Sequence, residues 1–484
     1  MKYKLLLLTL STLLFISCGE NNKSIPDNSP KIEIKDLDKN TTALPTINHN
    51  AKSLTIYVHG YRKKGYKKDG LYGNLHSNTF KRNLIKYTDS LDFNDYDKGA
   101  FPFERLVASV EFYGDKPTTY YTEADIEEIN KLTETYGGGI PKYALVTAKF
   151  IKYALKKSGL KRVNIVSASM GSLVTRWMIE KNLEELASTG TIEKWMTVQG
   201  VIRGNYALSK VSEGSFLNLF FEPSIDTDHM KYKWIKENLT AQPSILKSPY
   251  YGNMLVGQIS LTNGTKKDSL LKYALPFYGG FQPNDGVQLL KDTYFQSVDS
   301  NNSQVLTHTI IYHDHIDVKN SESTFVNINS FLEAKKRIRV TLLDATVKDI
   351  HEKIDKDNVG SEIVFDSKIY SSIAQERWEL EKPIDERLFK SGALKVYNYP
   401  QNDEKQTLNQ ILFDNFVSED EESLTIKIGG YEIDNSSNYH IRERSNSRVD
   451  SLGESEDEIE LKDGIYAVSA KDWSGHIKVE VIEF

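Results

Sequence analysis

Cysteine is nearly absent from this chain, with Cys18 alone in 484 residues. A single thiol excludes disulfides within the chain, so folding must rest on packed cores. An excess of positive charge is also missing. Lys+Arg 61 against Asp+Glu 67 leaves a formal net charge of −6, and no basic stripe with interleaved aromatics occurs, so no nucleic-acid partner is expected. There is no internal repeat. The apolar run Leu5 to Ile16 is too short for an ordinary membrane-spanning helix. What the chain does have is length and a hydrophobic content of 39%, enough to bury a substantial core and to make room for two domains.

The most informative stretch is Ser167-Ala168-Ser169-Met170-Gly171-Ser172-Leu173-Val174-Thr175-Arg176. The apolar run Val163 to Val166 before it reads as a buried parallel strand, and Leu173, Trp177 and Leu183 after it fall on one face of a helix. A serine on such a strand-to-helix turn presents its hydroxyl at the carboxyl edge of the sheet, with the next backbone N–H groups aimed at whatever it attacks. Ser169 is the candidate nucleophile; an ordinary tight turn of an α/β domain is the alternative.

The run resembles the nucleophile elbow of α/β-hydrolases, and its Ser-Met-Gly-x-Leu-Val-x-Arg continuation is similar to bacterial lipases and esterases. Ser167 departs from the family pattern G-x-S-x-G, which has glycine two residues before the nucleophile. That position lies close to neighbouring backbone, so a small side chain is required there. The resemblance implies a mostly parallel sheet with helices on both faces and a Ser-His-Asp triad in the chain order serine, acid, histidine. No metal or cofactor is expected.

A serine hydroxyl is a weak nucleophile at neutral pH, so a histidine must take its proton and an acid must orient that histidine. Gln282-Pro283-Asn284-Asp285-Gly286-Val287 sets a carboxylate in a turn whose Asn and Gly tolerate unusual backbone angles. Lipases with this elbow carry a similar turn, which implies that Asp285 is the triad acid. Further on, Val305 to Tyr312 reads as the last core strand and empties into His313-Asp314-His315-Ile316-Asp317. Both histidines leave the strand on the same side, so periodicity does not separate them. The lipase pattern His-hydrophobic-Asp matches His315-Ile316-Asp317 and makes His315 the preferred base, with His313 the alternative. His308 reads as a core or surface residue. Asp317 reads as a cap of the helix from Ser321 to Lys335; the resemblance leaves open a role as acid or calcium ligand.

The oxyanion needs two donors. By position the backbone N–H of Met170 is one. Leu54 to Val58 is an apolar strand ending in His59-Gly60-Tyr61, as in the lipases, which implies the Tyr61 N–H as the second donor and a supporting role for His59. Arg105 to Phe112 reads as another buried strand, Pro141 to Lys157 as a helix, and Trp195 to Val201 as the strand after the elbow helix. Gly200-Val201-Ile202-Arg203-Gly204 resembles a lipase loop in its arginine and glycines only.

An insertion at about 205–252 holds Phe216, Leu217, Leu219, Phe220, Phe221, Trp234, Tyr250 and Tyr251. Two readings stand: an acyl-chain groove or lid, or a cap with its own core. Lys63, Lys64, Lys67 and Lys68 would attract an anionic head group or form a solvated loop.

The amino terminus opens with Met1-Lys2-Tyr3-Lys4, then the apolar run, Ser17 and Cys18, with polar residues following. This resembles a bacterial lipoprotein signal, which implies export, cleavage, lipidation of Cys18 and anchoring at the cell envelope; an ordinary signal peptide is the alternative. The expected division is a signal peptide at 1–17, a flexible tether at 18–50, a catalytic domain at 51–336 and a β-sandwich-like domain of unknown partner at 337–484. The last rests on short alternating segments such as Ile477 to Val481. Two acidic runs, Glu419 to Glu422 and Glu454 to Glu458, are expected in its loops, with a spacing that matches no calcium loop.

These features point to acyl transfer from an apolar ester or lipid to water. A non-catalytic surface binding lipoprotein on a degenerate scaffold is the competing class, and acyltransferase, thioesterase and amidase chemistry share the same triad.

Overall fold

A computed structural model describes residues 52–63, 69–98, 105–210, 222–240, 250–262, 284–295, 307–350, 361–371, 377–379, 396–418, 421–433 and 449–483. The signal segment 1–17, Cys18, the tether, Lys64, Lys67, Lys68, the apolar group Phe216 to Phe221, Gln282, Pro283 and Glu419 lie outside the described residues.

Seven strands form the central sheet: β1 (Ser53–Val58), β2 (Leu91–Asp92), β3 (Arg105–Ser109), β4 (Val163–Ala168), β5 (Ile192–Val198), β6 (Leu255–Thr262) and β7 (Thr309–Tyr312). Their spatial order is β2-β3-β1-β4-β5-β6-β7, and every pairing is parallel. Strands buried on both faces have no need to alternate apolar with polar, which is why β1 and β4 read as continuous apolar runs. Within β1, Leu54, Ile56 and Val58 enter one core while Tyr57 enters another on the opposite face.

Helices supply the other wall of each core. The long helix α3 (Gly139–Ser158) follows α2 (Glu123–Tyr136), which is opened by a capping box in which Thr122 and Asp125 satisfy each other's backbone N–H groups. Together with α4 (Met170–Glu180), α3 covers one face, burying Ala144, Leu145, Phe150, Leu173 and Trp177. On the other face, Phe80 and Leu84 of α1 (Thr79–Tyr87) meet Phe325, Ile328 and Phe331 of α8 (Glu322–Glu333). Between these come three short helices, α5 (Tyr206–Lys210), α6 (Ile225–His229) and α7 (Tyr232–Asn238). Among the described residues no helix is long and apolar enough to cross a membrane.

From α8 the chain passes directly into β8 (Ala334–Val347). Lys194 of β5 holds this junction, its Nζ donating to the carbonyls of Phe331, Leu332 and Ala334 at the end of the helix. Apart from a short parallel pair, Leu71–Tyr72 with Lys116–Pro117, the strands after β8 are β9 (Ser361–Ser371), β10 (Arg377–Glu379), β11 (Val396–Tyr399), β12 (Glu404–Ser418), β13 (Ser423–Ile433), β14 (Val449–Glu460), β15 (Gly464–Ser469) and β16 (Trp473–Glu483). They form two antiparallel sheets, β12-β8-β16-β15 and β10-β9-β13-β14, with β11 also paired to β9. Ile338, Val340 and Leu342 from one sheet share a core with Ile363, Phe365, Ile426 and Ile428 from the other. This all-β region leans on the α/β part through Phe416 against Phe331 and through Asn415, whose amide donates to Asn327 Oδ1 over 2.8 Å.

Four expectations are corrected. The elbow helix ends at Glu180, because Asn182 takes a left-handed backbone, so Leu183 lies in a separate 3-10 turn. The ladder of β3 stops at Ser109, and Val110 bridges Leu75 instead. The cap of α8 is Ser321, whose hydroxyl accepts from the Thr324 N–H, while Asp317 opens a 3-10 turn before it and accepts from Asn320. The run Glu454 to Glu458 lies in strand β14, where Glu454, Glu456 and Glu458 face solvent and Ser455 turns inward. Period-two geometry, not loop chemistry, accounts for that run, with Lys427 across the ladder pairing to Glu456.

Candidate active site

The carboxyl ends of β1, β4 and β7 place His59, Ser169 and His315 at one rim of the sheet. Ser169 sits between β4 and α4 with φ 53° and ψ −127°, a conformation that costs a side-chain-bearing residue about 1–3 kcal/mol. Tight packing holds it there. A Cβ on Gly171 would come within 2.2 Å of the Val58 carbonyl oxygen, one on Gly200 within 2.7 Å of Ser172, and one on Gly60 within 2.9 Å of Ser169 Cβ. The backbone locks the turn further: Ser169 N–H donates to the Val198 carbonyl, and its own carbonyl accepts from Ser172 and Val201.

His315 Nε2 lies 3.0 Å from Ser169 Oγ, and His315 Nδ1 lies 2.7 Å from Asp285 Oδ2. Asp285 is 1% exposed, and its other oxygen accepts the N–H groups of Val287 and Gln288 at 2.9 and 2.8 Å. A carboxylate fixed in this way can only accept, so Nδ1 carries the proton and the Nε2 lone pair faces the serine hydroxyl. Asp285 also accepts the backbone N–H of His315 on its carbonyl, clamping the two loops together over 2.9 Å. Three residues distant in sequence thus form one continuous hydrogen-bonded line.

The other residues proposed from sequence fall around them. His313 is turned to its own loop, its Nδ1 accepting from the Asp314 N–H at 3.1 Å. His308 is a packed residue, stacked on Tyr294 with Nε2 2.8 Å from Ser260 Oγ, and burial pushes its pKa down to about 3. Met170 is the first residue of α4, directly after Ser169. Tyr61 follows Gly60, which abuts Ser169, and its hydroxyl accepts from the Glu222 N–H at 3.2 Å. Arg203 braces the loop after β5 by donating to the carbonyls of Asp292 and Lys291. In the described part of the insertion, Trp234 stacks on Trp177 and His229, and Tyr251 packs by Trp195 and Phe295. These aromatics belong to the main core rather than to a groove.

Three supporting contacts were not foreseen from the sequence. Ser167, fully buried, accepts from Trp195 Nε1 at 2.8 Å and contacts Ser172 Oγ at 3.1 Å. Gln199, in a left-handed conformation at φ 45°, donates from Nε2 to the His315 carbonyl at 3.0 Å. Gln288 in turn donates to the Gln199 carbonyl at 3.0 Å. Gln199 falls inside the expected strand Trp195 to Val201, but β5 spans Ile192–Val198, so it sits just past the strand end.

Strand order, the strained serine turn and the loops that carry Asp285 and His315 define the α/β-hydrolase fold, joined here to an antiparallel all-β region. No family model matches the chain, and no curated protein matches it. Among solved structures it is similar to the mature lipase BlEst2 of Bacillus licheniformis, at 13% identity and a TM-score of 0.36, over 58% of this chain and 93% of that one. It is also similar to phospholipase PlaB of Legionella pneumophila, at 11% identity and a TM-score of 0.35, over 78% of this chain and 86% of that one. A metagenomic carboxyl esterase matches at 13% identity and a TM-score of 0.33, over 60% of this chain and 75% of that one. At these values the likenesses carry no functional argument, and the fold stands on the chain's own topology.

Proposed function

We infer that this chain is a serine hydrolase that cleaves carboxylic esters, with Ser169 as nucleophile, His315 as general base and Asp285 as its orienter. The observation that carries this reading is the continuous line from Asp285 Oδ2 through His315 to Ser169 Oγ, at 2.7 and 3.0 Å. As Ser169 attacks the ester carbonyl, its proton passes to His315 Nε2, and Asp285 stabilises the imidazolium without itself becoming protonated. The oxyanion then accepts from the N–H groups of Met170 and Tyr61, each such donor contributing about 3 kcal/mol to the barrier reduction. His315 returns the proton to the leaving alcohol. Water, activated by the same histidine, releases the acyl group.

An apolar acyl part is favoured by Ile316, 59% exposed beside His315, and by the apolar run Phe216 to Phe221 in the sequence between α5 and α6. Cys18 and its preceding apolar segment support export and lipid anchoring at a bacterial cell envelope, with 51–336 as the catalytic domain and 337–484 as a second one. A non-catalytic scaffold is the poorer reading, because nothing in binding alone maintains a serine in a strained turn aimed at an oriented histidine. A fluorophosphonate probe tests the reading: it should label wild type at Ser169 and leave Ser169→Ala unlabelled, and p-nitrophenyl esters of graded chain length should be hydrolysed only by the former. An unlabelled wild type would return the chain to the binding class.

A further inference from the structure

Behind the proposed oxyanion strand lies a cluster that the ester chemistry does not use. His59, His76 and Glu111 bring one ligand atom each to within 4.8 Å of one another. His59 Nε2 stands 3.6 Å from Glu111 Oε1, and His76 Nδ1 stands 3.4 Å from Glu111 Oε2. His59 is 1% exposed and His76 is 7% exposed.

The hydrogen bonds around His59 fix its tautomer. Its Nδ1 lies 2.9 Å from the Gly60 carbonyl oxygen, which can only accept, so Nδ1 carries the proton. In the neutral ring the Nε2 lone pair then points at a carboxylate oxygen, one acceptor facing another. Among the described residues His59 Nε2 has no hydrogen-bond partner. A metal ion bound to both atoms would resolve that opposition. Glu111 has room for it: Arg62 Nη2 reaches both oxygens and the Tyr113 N–H reaches Oε1, which leaves one of about four lone-pair sites, on Oε2. The carboxylate is 20% exposed, which gives an entry path.

We propose that His59, His76 and Glu111 form a binding site for a divalent transition-metal ion of the zinc class. Two imidazoles and one carboxylate match the ligand preference of zinc, whose bonds to nitrogen are about 2.0–2.1 Å, while hard ions such as calcium and magnesium prefer all-oxygen sites. The Nδ1–H to Gly60 bond is the outer contact that commonly orients a metal-bound histidine. Through it the ion braces Gly60 and Tyr61 beside Ser169. Its role is structural, and the site stands independently of the ester-hydrolase reading.

The test counts metal rather than turnover. Full-chain protein is stripped with a chelator, re-equilibrated with zinc chloride and dialysed, and bound zinc is measured by mass spectrometry for wild type, His76→Gln, Glu111→Gln and His315→Ala. One zinc per chain in wild type and in His315→Ala, with binding weakened by about a hundredfold or more in the other two, is the expected result. Cobalt substitution of the wild type provides a readout that needs no variant to fold, since nitrogen ligation gives visible absorption bands. Absence of stoichiometric zinc in wild type, or zinc retained by both His76→Gln and Glu111→Gln, would overturn the proposal. So would zinc lost only from His315→Ala, because that places the ion on the triad.

Discussion

Trp195 Nε1 donates a hydrogen bond to the Ser167 hydroxyl over 2.8 Å, so the side chain that replaces the expected glycine of the elbow is tied to the next strand of the sheet. Both residues are fully buried. Ser167→Gly would leave the indole N–H without an acceptor, at a cost of about 1–3 kcal/mol, and would add the entropic cost of glycine in a strand, about 0.5–1 kcal/mol. The variant should unfold at lower urea concentration, with its unfolding free energy reduced by an amount in that combined range, while turnover stays within a few-fold of wild type. Unchanged stability would mean that the bond contributes nothing.

His315→Ala should lower kcat/KM for a p-nitrophenyl ester by several orders of magnitude, because among the described residues no other side chain bonds Ser169 Oγ. His313→Ala should change it by less than about threefold, since among the described residues that ring bonds only within its own loop. Equal losses in the two variants would show that the base lies elsewhere.

How far the site was legible follows from the range of the interactions that build it. The elbow could be read because an apolar strand, a serine and a small-residue turn are adjacent in sequence. Asp285 could be read because its Asn-Gly neighbours encode the turn. The choice between His313 and His315 could not come from strand period, since both leave on one side. What separates them is the Asp285 carbonyl, which accepts the His315 N–H from another loop. Gln199, Glu111 and His76 were silent for the same reason: each acts through a residue remote in sequence. The acidic run of β14 misled because a half-buried strand was expected to hide apolar residues, whereas its inward positions include Ser455.

Gln199 offers a graded test of how the histidine is held. Its amide supports the His315 carbonyl, and Gln288 supports Gln199. Gln199→Ala should reduce kcat by about tenfold, the equivalent of about 1.4 kcal/mol, with KM nearly unchanged, and should slow fluorophosphonate labelling in proportion. Gln199→Glu, which cannot donate when ionised, should lose as much activity; a purely structural role would instead appear as lower thermal stability with normal kcat in the folded fraction.

Asp226 gives the pH dependence of stability. Burial raises its pKa from 3.8 to about 6, partly opposed by hydrogen bonds from Tyr143 and Tyr113 and by the charge of Lys142. Between those two values the folded state binds more protons than the unfolded state, so stability falls as pH rises through this window. A shift of this size corresponds to about 3 kcal/mol. Asp226→Asn, which cannot ionise, should therefore gain melting temperature relative to wild type on going from pH 4 to pH 8, with most of the gain between about pH 4 and 6. A difference that is flat with pH would show that this carboxyl is not held protonated.

Two glycines test the packing that strains Ser169, and they should fail differently. On Gly171 a Cβ would meet the Val58 and His59 carbonyl oxygens at 2.2 and 2.6 Å, both backbone atoms of a buried strand end with nowhere to retreat. Gly171→Ala should therefore prevent folding or lower stability by several kcal/mol, within the range of severe backbone and overpacking effects. On Gly60 the contacts are Ser169 Cβ at 2.9 Å, the Ala168 carbonyl oxygen at 3.2 Å and Ser169 Oγ at 3.4 Å, so the tightest is with the reacting side chain itself. Gly60→Ala should fold, because a shift of a few tenths of an ångström at Ser169 relieves the contact. That shift moves Oγ off the line to His315, so kcat should drop by about a hundredfold with a melting temperature within a few degrees of wild type. A Gly60→Ala enzyme with full turnover would show that the serine turn tolerates displacement, and the strained geometry would then have no part in catalysis.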